Sequence, residues 1–174
     1  MKKGYVRLAY SEIQTDSIVD GEGIRSVIWF QGCSHNCPGC HNPETHDFNQ
    51  GVERSIEELK QEISELEYQS GVTFSGGDPM MQIEALEELT KCVHDNNMNV
   101  WCYTGYTFEE VLKLAEKNEH YMNALRNIDV LVDGRFVLDL KSFNVVFRGS
   151  SNQRIIDVKK SLETGKAELI DKYI

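Results

Sequence analysis

Three of the chain's five cysteines fall within eight residues, in the run Cys33-Ser34-His35-Asn36-Cys37-Pro38-Gly39-Cys40, spaced C-x3-C-x2-C. Three thiolates this close on one loop suit a single soft metal centre, and Pro38 and Gly39 let the backbone wrap it. Two centres fit the donor set. A four-iron cluster on three cysteines leaves one iron without a protein ligand, open to a substrate or cofactor. A tetrahedral zinc ion would take a fourth ligand from His35, His41 or His46, although structural zinc sites usually offer two separated pairs and no second C-x2-C exists here. Cys92 and Cys102 stand alone. An odd, clustered count without an export signal argues against disulfides and for a metal site kept reduced.

Such a loop needs a scaffold, and the chain alternates short β-rich runs with helical periodicity. Strands are expected at Ser26–Gln31, Val72–Phe74, Asn99–Tyr103 and Ile128–Val132, with a fifth at Val145–Phe147. Ser55 three before Glu58, and Thr107 three before Glu110, mark helix starts of the capping-box type. Ile56, Leu59, Ile63 and Leu66 form one apolar stripe; Ile83, Leu86, Leu89 and Val93 form another, which Asn96-Asn97 stops. The C-terminal stretch from Ile155 to Leu169 shows weak helical periodicity. Strands alternating with helices imply an α/β fold with a mainly parallel sheet. The unusual motifs then share one address. Cys33 to Cys40, Ser75 to Pro79, Thr104-Gly105-Tyr106 and Asp133-Gly134-Arg135 each follow a strand, at the C-terminal edge where α/β sheets build their sites.

The cysteine run resembles the signature of the radical S-adenosylmethionine (radical SAM) superfamily. Val19-Asp20-Gly21-Glu22-Gly23-Ile24-Arg25 and Gly32 to Asn42 around it are similar to one branch, the activating proteins of anaerobic (class III) ribonucleoside-triphosphate reductase. Further matches are Ser75 to Pro79, Trp101 to Tyr106, Val130 to Phe136 and Phe147 to Arg154, in the family's order. The resemblance implies that Cys33, Cys37 and Cys40 hold a [4Fe-4S] cluster, with S-adenosylmethionine on the open iron and Gly39-Cys40-His41 passing close to it. Many superfamily members carry an aromatic residue before the third cysteine. Here Gly39 stands there, so adenine packing would come from His41 or elsewhere. Ser75, Gly76, Gly77 and Asp78 resemble the element that grips the methionine amino group; Asp78 also reads as a helix N-cap with Pro79 behind it. Asp133 and Arg135 match an Asp-x-Lys pair near the cofactor, with Arg in the Lys position. Thr104 and Tyr106 read equally as turn residues, and Arg148 and Arg154 as holding the cofactor carboxylate, holding the partner, or merely balancing acidic neighbours. The implied reaction transfers one electron into the sulfonium and abstracts hydrogen from a glycine Cα of the reductase large subunit. It would need a one-electron donor such as flavodoxin, and the family resemblance also implies a possible homodimer. A small-molecule enzyme of the deazapurine-forming synthase type, or a non-catalytic zinc interaction domain, are the competing readings.

Length and charge bound the rest. The 174 residues suit one domain, 1–174, and a net charge of −10 disfavours a nucleic-acid partner. No apolar run reaches the roughly 18 residues of a membrane span, and Met1 to Arg7 lacks a signal-peptide pattern, so a cytoplasmic protein is expected. Four or five strand–helix units cannot close an eight-unit barrel of roughly 250 residues. The expectation is therefore a partial β/α barrel of the radical SAM type, open along one side. That opening would admit a loop of a macromolecular substrate.

Overall fold

The computed structural model describes residues 2–174. Its centre is a run of four parallel strands, β3 (Arg25–Phe30), β5 (Gly71–Gly76), β6 (Asn99–Tyr103) and β7 (Val130–Asp133), paired in that order. Around them the chain adds β1 (Tyr5–Leu8), β2 (Gln14–Ser17), β4 (Val52–Ser55) and β8 (Arg154–Asp157), all antiparallel. The sheet runs β4-β1-β3-β5-β6-β7-β8 with β2 beside β3. Its ends do not meet, so the barrel is partial and open.

Helices α1 (Ile56–Ser64), α2 (Ile83–Asp95), α3 (Phe108–Lys117) and α4 (Glu119–Asn127) lie against one face, and α5 (Val158–Thr164) follows β8. All but α2 start at a residue whose side chain caps the helix, Ser55, Thr107, Asn118 and Asp157. Ser55 accepts from the Glu58 backbone at 3.4 Å without the reciprocal bond. Thr107 and Glu110 complete a reciprocal capping box at 3.1 and 2.8 Å. The alternation of strand side chains divides the interior in two. Ile28, Phe30, Val72, Phe74, Val100, Cys102 and Leu131 pack with Leu59, Ile63, Leu86, Leu89 and Val93 under the helices. On the opposite face Trp101, Val132 and Ile155 pack with Tyr103, Phe147, Ile170 and Tyr173. Arg25 fills the N-terminal end of that inner face. It is fully buried and donates to Thr73 Oγ1 at 2.7 Å and to the carbonyls of Glu22, Val72 and Asn99. Burial pushes its guanidinium down to about 10.

Two expectations are corrected. Val145–Phe147 is not a strand: Phe147 sits at φ 57°, and its ring turns inward against Trp101 and Tyr173 at 5.3 and 5.7 Å. The fifth strand of the expected series is instead Arg154–Asp157, at the start of the stretch read as helical, and it runs antiparallel. Helix α4 and strands β1, β2 and β4 were not foreseen. Each of those strands has four residues and the burial pattern of β2 and β4 is almost wholly exposed or half-buried, too short a signal for periodicity to register.

Candidate functional site

At the C-terminal edge of the parallel strands lies a cleft of about 330 Å3. That is the small end of the roughly 300–1,000 Å3 range of ligand sites. Cys33, Cys37, Cys40 and His41 form one wall, and Ser75, Gly76 and Gly77 another. Tyr103, Thr104, Gly134, Phe136, Phe147 and Arg148 contribute to the rest.

The two walls are laced together by backbone. Gly32 donates to the Thr45 carbonyl at 2.7 Å and Cys33 to that of His46 at 3.1 Å, which fixes the base of the cysteine loop. Gly77 donates to Phe30 O at 2.8 Å and Asp78 to Gly32 O at 2.9 Å, which brings the end of β5 hard against the end of β3. Only glycine fits there. A Cβ on Gly76, at φ 106°, would lie 2.3 Å from Phe30 O, and one on Gly77 would lie 2.4 Å from Gly32 O.

All five cysteines are free, and the three of the loop are half-buried. Burial pushes the Cys33 thiol up to about 11, a shift that the backbone N–H of His35 partly offsets. Among the described residues no three His, Cys, Asp or Glu side chains converge on one point. The donors present are three thiols on one loop, the soft set that suits an iron–sulfur cluster. His35 is also taken. Its Nε2 lies 2.6 Å from Asp78 Oδ2, and its ring stands edge-on to Tyr106 at 4.6 Å. Three soft donors on the rim of a cleft floored by backbone fit a [4Fe-4S] cluster.

Of the residues singled out from sequence, Cys33, Cys37, Cys40, His41, Ser75, Gly76 and Gly77 meet at the cleft. Four of the implied cofactor contacts do not line it. Gly39 turns at φ 75° with Leu138 behind it, where a Cβ would come within 2.8 Å. Asp78 points into the protein, 1% exposed, and accepts from Met80 N, Thr104 Oγ1 and Gly105 N as well as facing His35. Its carboxylate is thus occupied within the protein, and what the turn offers the cleft is backbone. Asp133 is equally buried and takes Phe108 N and the fork of Arg154. Arg135 faces outward to Glu110 at 3.3 Å.

Sequence reasoning gave no weight to Tyr103, Phe136 and Phe147 as walls. Their signal was aromatic residues adjoining the strand-end motifs. Phe136 packs on His41 at 5.1 Å, and Tyr103 donates to the Phe147 carbonyl at 2.8 Å, so the aromatic residues hold one another in place. Of the two arginines without an assigned role, the structure separates them. Arg154 is held by Asp133 and Glu109, and both hydrogen bonds raise its pKa. Arg148 lines the cleft and, among the described residues, donates only to the carbonyls of Val146, Gln153 and Tyr173. Among the described residues no carboxylate pairs with it, and burial lowers its pKa.

An open α/β sheet with three thiols on one strand-end loop is the frame of a single-cluster iron–sulfur domain, and residues 19–156 match the family described as "4Fe-4S single cluster domain". Relatives narrow the class. The chain is 35% identical over 154 residues to the anaerobic ribonucleoside-triphosphate reductase-activating protein of Salmonella typhimurium, covering 84% of this chain and 96% of that one. It is 35% identical over 152 residues to the protein of the same name from Escherichia coli K12, covering 83% and 95%. Among solved structures, QueE from Escherichia coli superposes with a TM-score of 0.49 at 18% identity, over 59% of this chain and 54% of that one. The chain belongs to the family of anaerobic ribonucleoside-triphosphate reductase-activating proteins.

Proposed function

We propose that this protein generates a glycyl radical on an anaerobic ribonucleoside-triphosphate reductase, using a [4Fe-4S] cluster on Cys33, Cys37 and Cys40 and S-adenosylmethionine. The observation that carries the reading is the meeting of the three-cysteine loop and the Ser75-Gly76-Gly77 turn across one open cleft. When bound, the reduced cluster and S-adenosylmethionine supply one-electron cleavage of a carbon–sulfur bond, which ends in abstraction of hydrogen from a glycine Cα of the reductase.

The chain's own residues bind, orient and exclude water. Cys33 keeps its proton until a metal bond replaces it, so loading the site releases protons. The Ser75–Gly77 backbone offers acceptors to an ammonium, and Asp78, the next residue, ties that turn to Thr104 and Gly105. Arg148 offers the guanidinium that a carboxylate needs, taking the role that the sequence pattern gave to Arg135. Phe136, packed on His41, and Phe147 line the cleft with apolar rings against which a purine can pack. Asp133 acts behind the site, fixing the start of α3 and Arg154.

No helix of the described residues is long and apolar enough to cross a membrane. The reading extends to a cytoplasmic protein, a flavodoxin-like one-electron donor, the reductase large subunit as partner and a homodimer. It is tested by anaerobic reconstitution, reduction, and incubation with S-adenosylmethionine and the reductase large subunit. Methionine and 5′-deoxyadenosine should appear together with a glycyl-radical spin signal. A colourless protein with stoichiometric zinc would overturn it, and cofactor cleavage without that signal would point to a small-molecule substrate.

A further inference from the structure

One buried carboxylate ties together the turns that follow three different strands. Asp78 Oδ2 faces His35 Nε2 at 2.6 Å, from the cysteine loop after β3, and accepts from Thr104 Oγ1 and Gly105 N at 2.9 Å each, after β6. Asp78 itself belongs to the glycine turn after β5. A carboxylate only accepts, so the ring nitrogen of His35 is the donor. Both side chains are dry, at 5% and 1% exposure. The imidazole is seated from a second side by Tyr106 at 4.6 Å, and a Cβ on Gly105 would lie 2.5 Å from its ring. His35 thus occupies a built socket.

Its place in sequence gives the socket a purpose. His35 lies midway between Cys33 and Cys37, and the backbone on either side has few other anchors. Cys33 is pinned through His46 O, and Cys40 donates to Cys37 O, but the span from Ser34 to Cys37 reaches the rest of the protein through the His35 ring and through weak contacts of Ser34 to the Met81 sulfur. We propose that His35 is a positioning residue: its hydrogen bond to Asp78 fixes the Cys33–Cys37 segment against the Gly76–Gly77 turn, and so sets the distance between the cluster's ligands and the backbone that holds S-adenosylmethionine. The inference rests on the function proposed above for what it positions, but the latch itself is a property of the empty polypeptide.

Both levels can be read. In the metal-free reduced protein, thiol alkylation is followed in the tryptic peptide Ser26–Arg54, which holds Cys33, Cys37 and Cys40, with fully buried Cys102 as the reporter of global opening. His35→Phe keeps the ring against Tyr106 and removes the donor. It should speed alkylation of the loop cysteines about tenfold, the equivalent of one charge-assisted hydrogen bond, while Cys102 stays at its wild-type rate. His35→Gln, whose Nε2 can reach the same carboxylate, should restore slow labelling. His35→Ala, which adds no volume, gives the same reading should His35→Phe not fold. In the reconstituted, reduced protein, the change that S-adenosylmethionine makes to the cluster's electron spin resonance spectrum should need about tenfold more cofactor in His35→Phe and return in His35→Gln. Wild-type labelling of the loop in His35→Phe and His35→Ala would overturn the latch, and so would equal acceleration at Cys102. A wild-type cluster indifferent to S-adenosylmethionine would overturn the function instead, leaving the alkylation rates to decide the latch.

Discussion

Asp78 and Asp133 look interchangeable. Each ends a turn or strand at the C-terminal edge of the sheet, each is 1% exposed, and each caps a helical segment, through Met80 N and Phe108 N respectively. Their remaining partners separate them. Asp78 gathers His35, Thr104 and Gly105, all on turns that border the cleft. Asp133 receives the two-pronged fork of Arg154, at 2.9 and 2.5 Å, which reaches on to Glu109 at 2.7 Å. One web organises the site; the other ties β7, β8 and α3 into the scaffold. A buried acid at a strand end therefore takes its function from its donors, which lie far off in sequence.

The comparison sits on a prior requirement, the cluster. Replacing Cys37 by Ala should reduce S-adenosylmethionine cleavage to background and abolish the iron–sulfur absorption of the reconstituted protein, the largest effect expected of any single change. Next come the two acids. Asp133→Ala leaves Arg154 without its buried partner, and because Arg154 keeps Glu109 and water, the cost should be about 2–3 kcal/mol, below the full 3–5 of a dry pair. Denaturant unfolding would measure it. Below its midpoint that variant should keep the wild-type spectral response to S-adenosylmethionine. Asp78→Ala should destabilise similarly, by about 2–4 kcal/mol for its stranded donors, and also lose that response. If both variants lost the response, or neither did, the division between site web and scaffold web would be wrong. Arg148→Ala sharpens the cleft side. With its guanidinium facing a cofactor carboxylate, the loss should raise KM for S-adenosylmethionine about 10–100-fold with little change in stability, as measured by initial rates of 5′-deoxyadenosine formation.

How far the sequence carried this picture follows from the range of the forces involved. The cysteine loop and the glycine turn were legible because their chemistry is local: thiol spacing, and two adjacent glycines where β5 meets β3. Strands β3, β5, β6 and β7 were legible because each is apolar enough to be buried on both faces. Val145–Phe147 misled for the same reason. Its apolar triplet has strand composition, but Phe147 uses a left-handed backbone to cover Trp101, a partner 46 positions away whose presence no local pattern reveals. Arg135 turns outward to Glu110 although its spacing from Asp133 suggested a cleft contact, and each of the three arginines, 135, 148 and 154, has a partner more than 20 positions away in sequence. The latch was missed likewise: His35 reads as a spare metal ligand until Asp78 is placed beside it.

The smallest expected effect lies far from either acid and calibrates what an exposed pair contributes. His120, in the first turn of α4, has Nδ1 2.5 Å from Glu87 Oε2 on α2 and Nε2 3.7 Å from Glu84. The Glu87 hydrogen bond raises its pKa above the ordinary 6.5, outweighing desolvation. The folded protein therefore holds this proton more tightly than the unfolded chain does. The linked stability is fully present below pH 6.5 and fades as pH climbs through the raised value. Two things keep it small: the imidazole is about a third exposed, and its charge sits at the N-terminal end of α4, where the helix dipole disfavours cations. His120→Gln should thus cost at most about 0.5 kcal/mol near pH 5.5 and almost nothing near pH 8.5, read as the difference in urea midpoint between wild type and variant at the two values. A difference that grew with pH would reverse the assigned sign. A deficit of several kcal/mol would mean that α2 and α4 depend on this contact far more than on the apolar packing of Leu86, Leu89 and Leu125 beneath it.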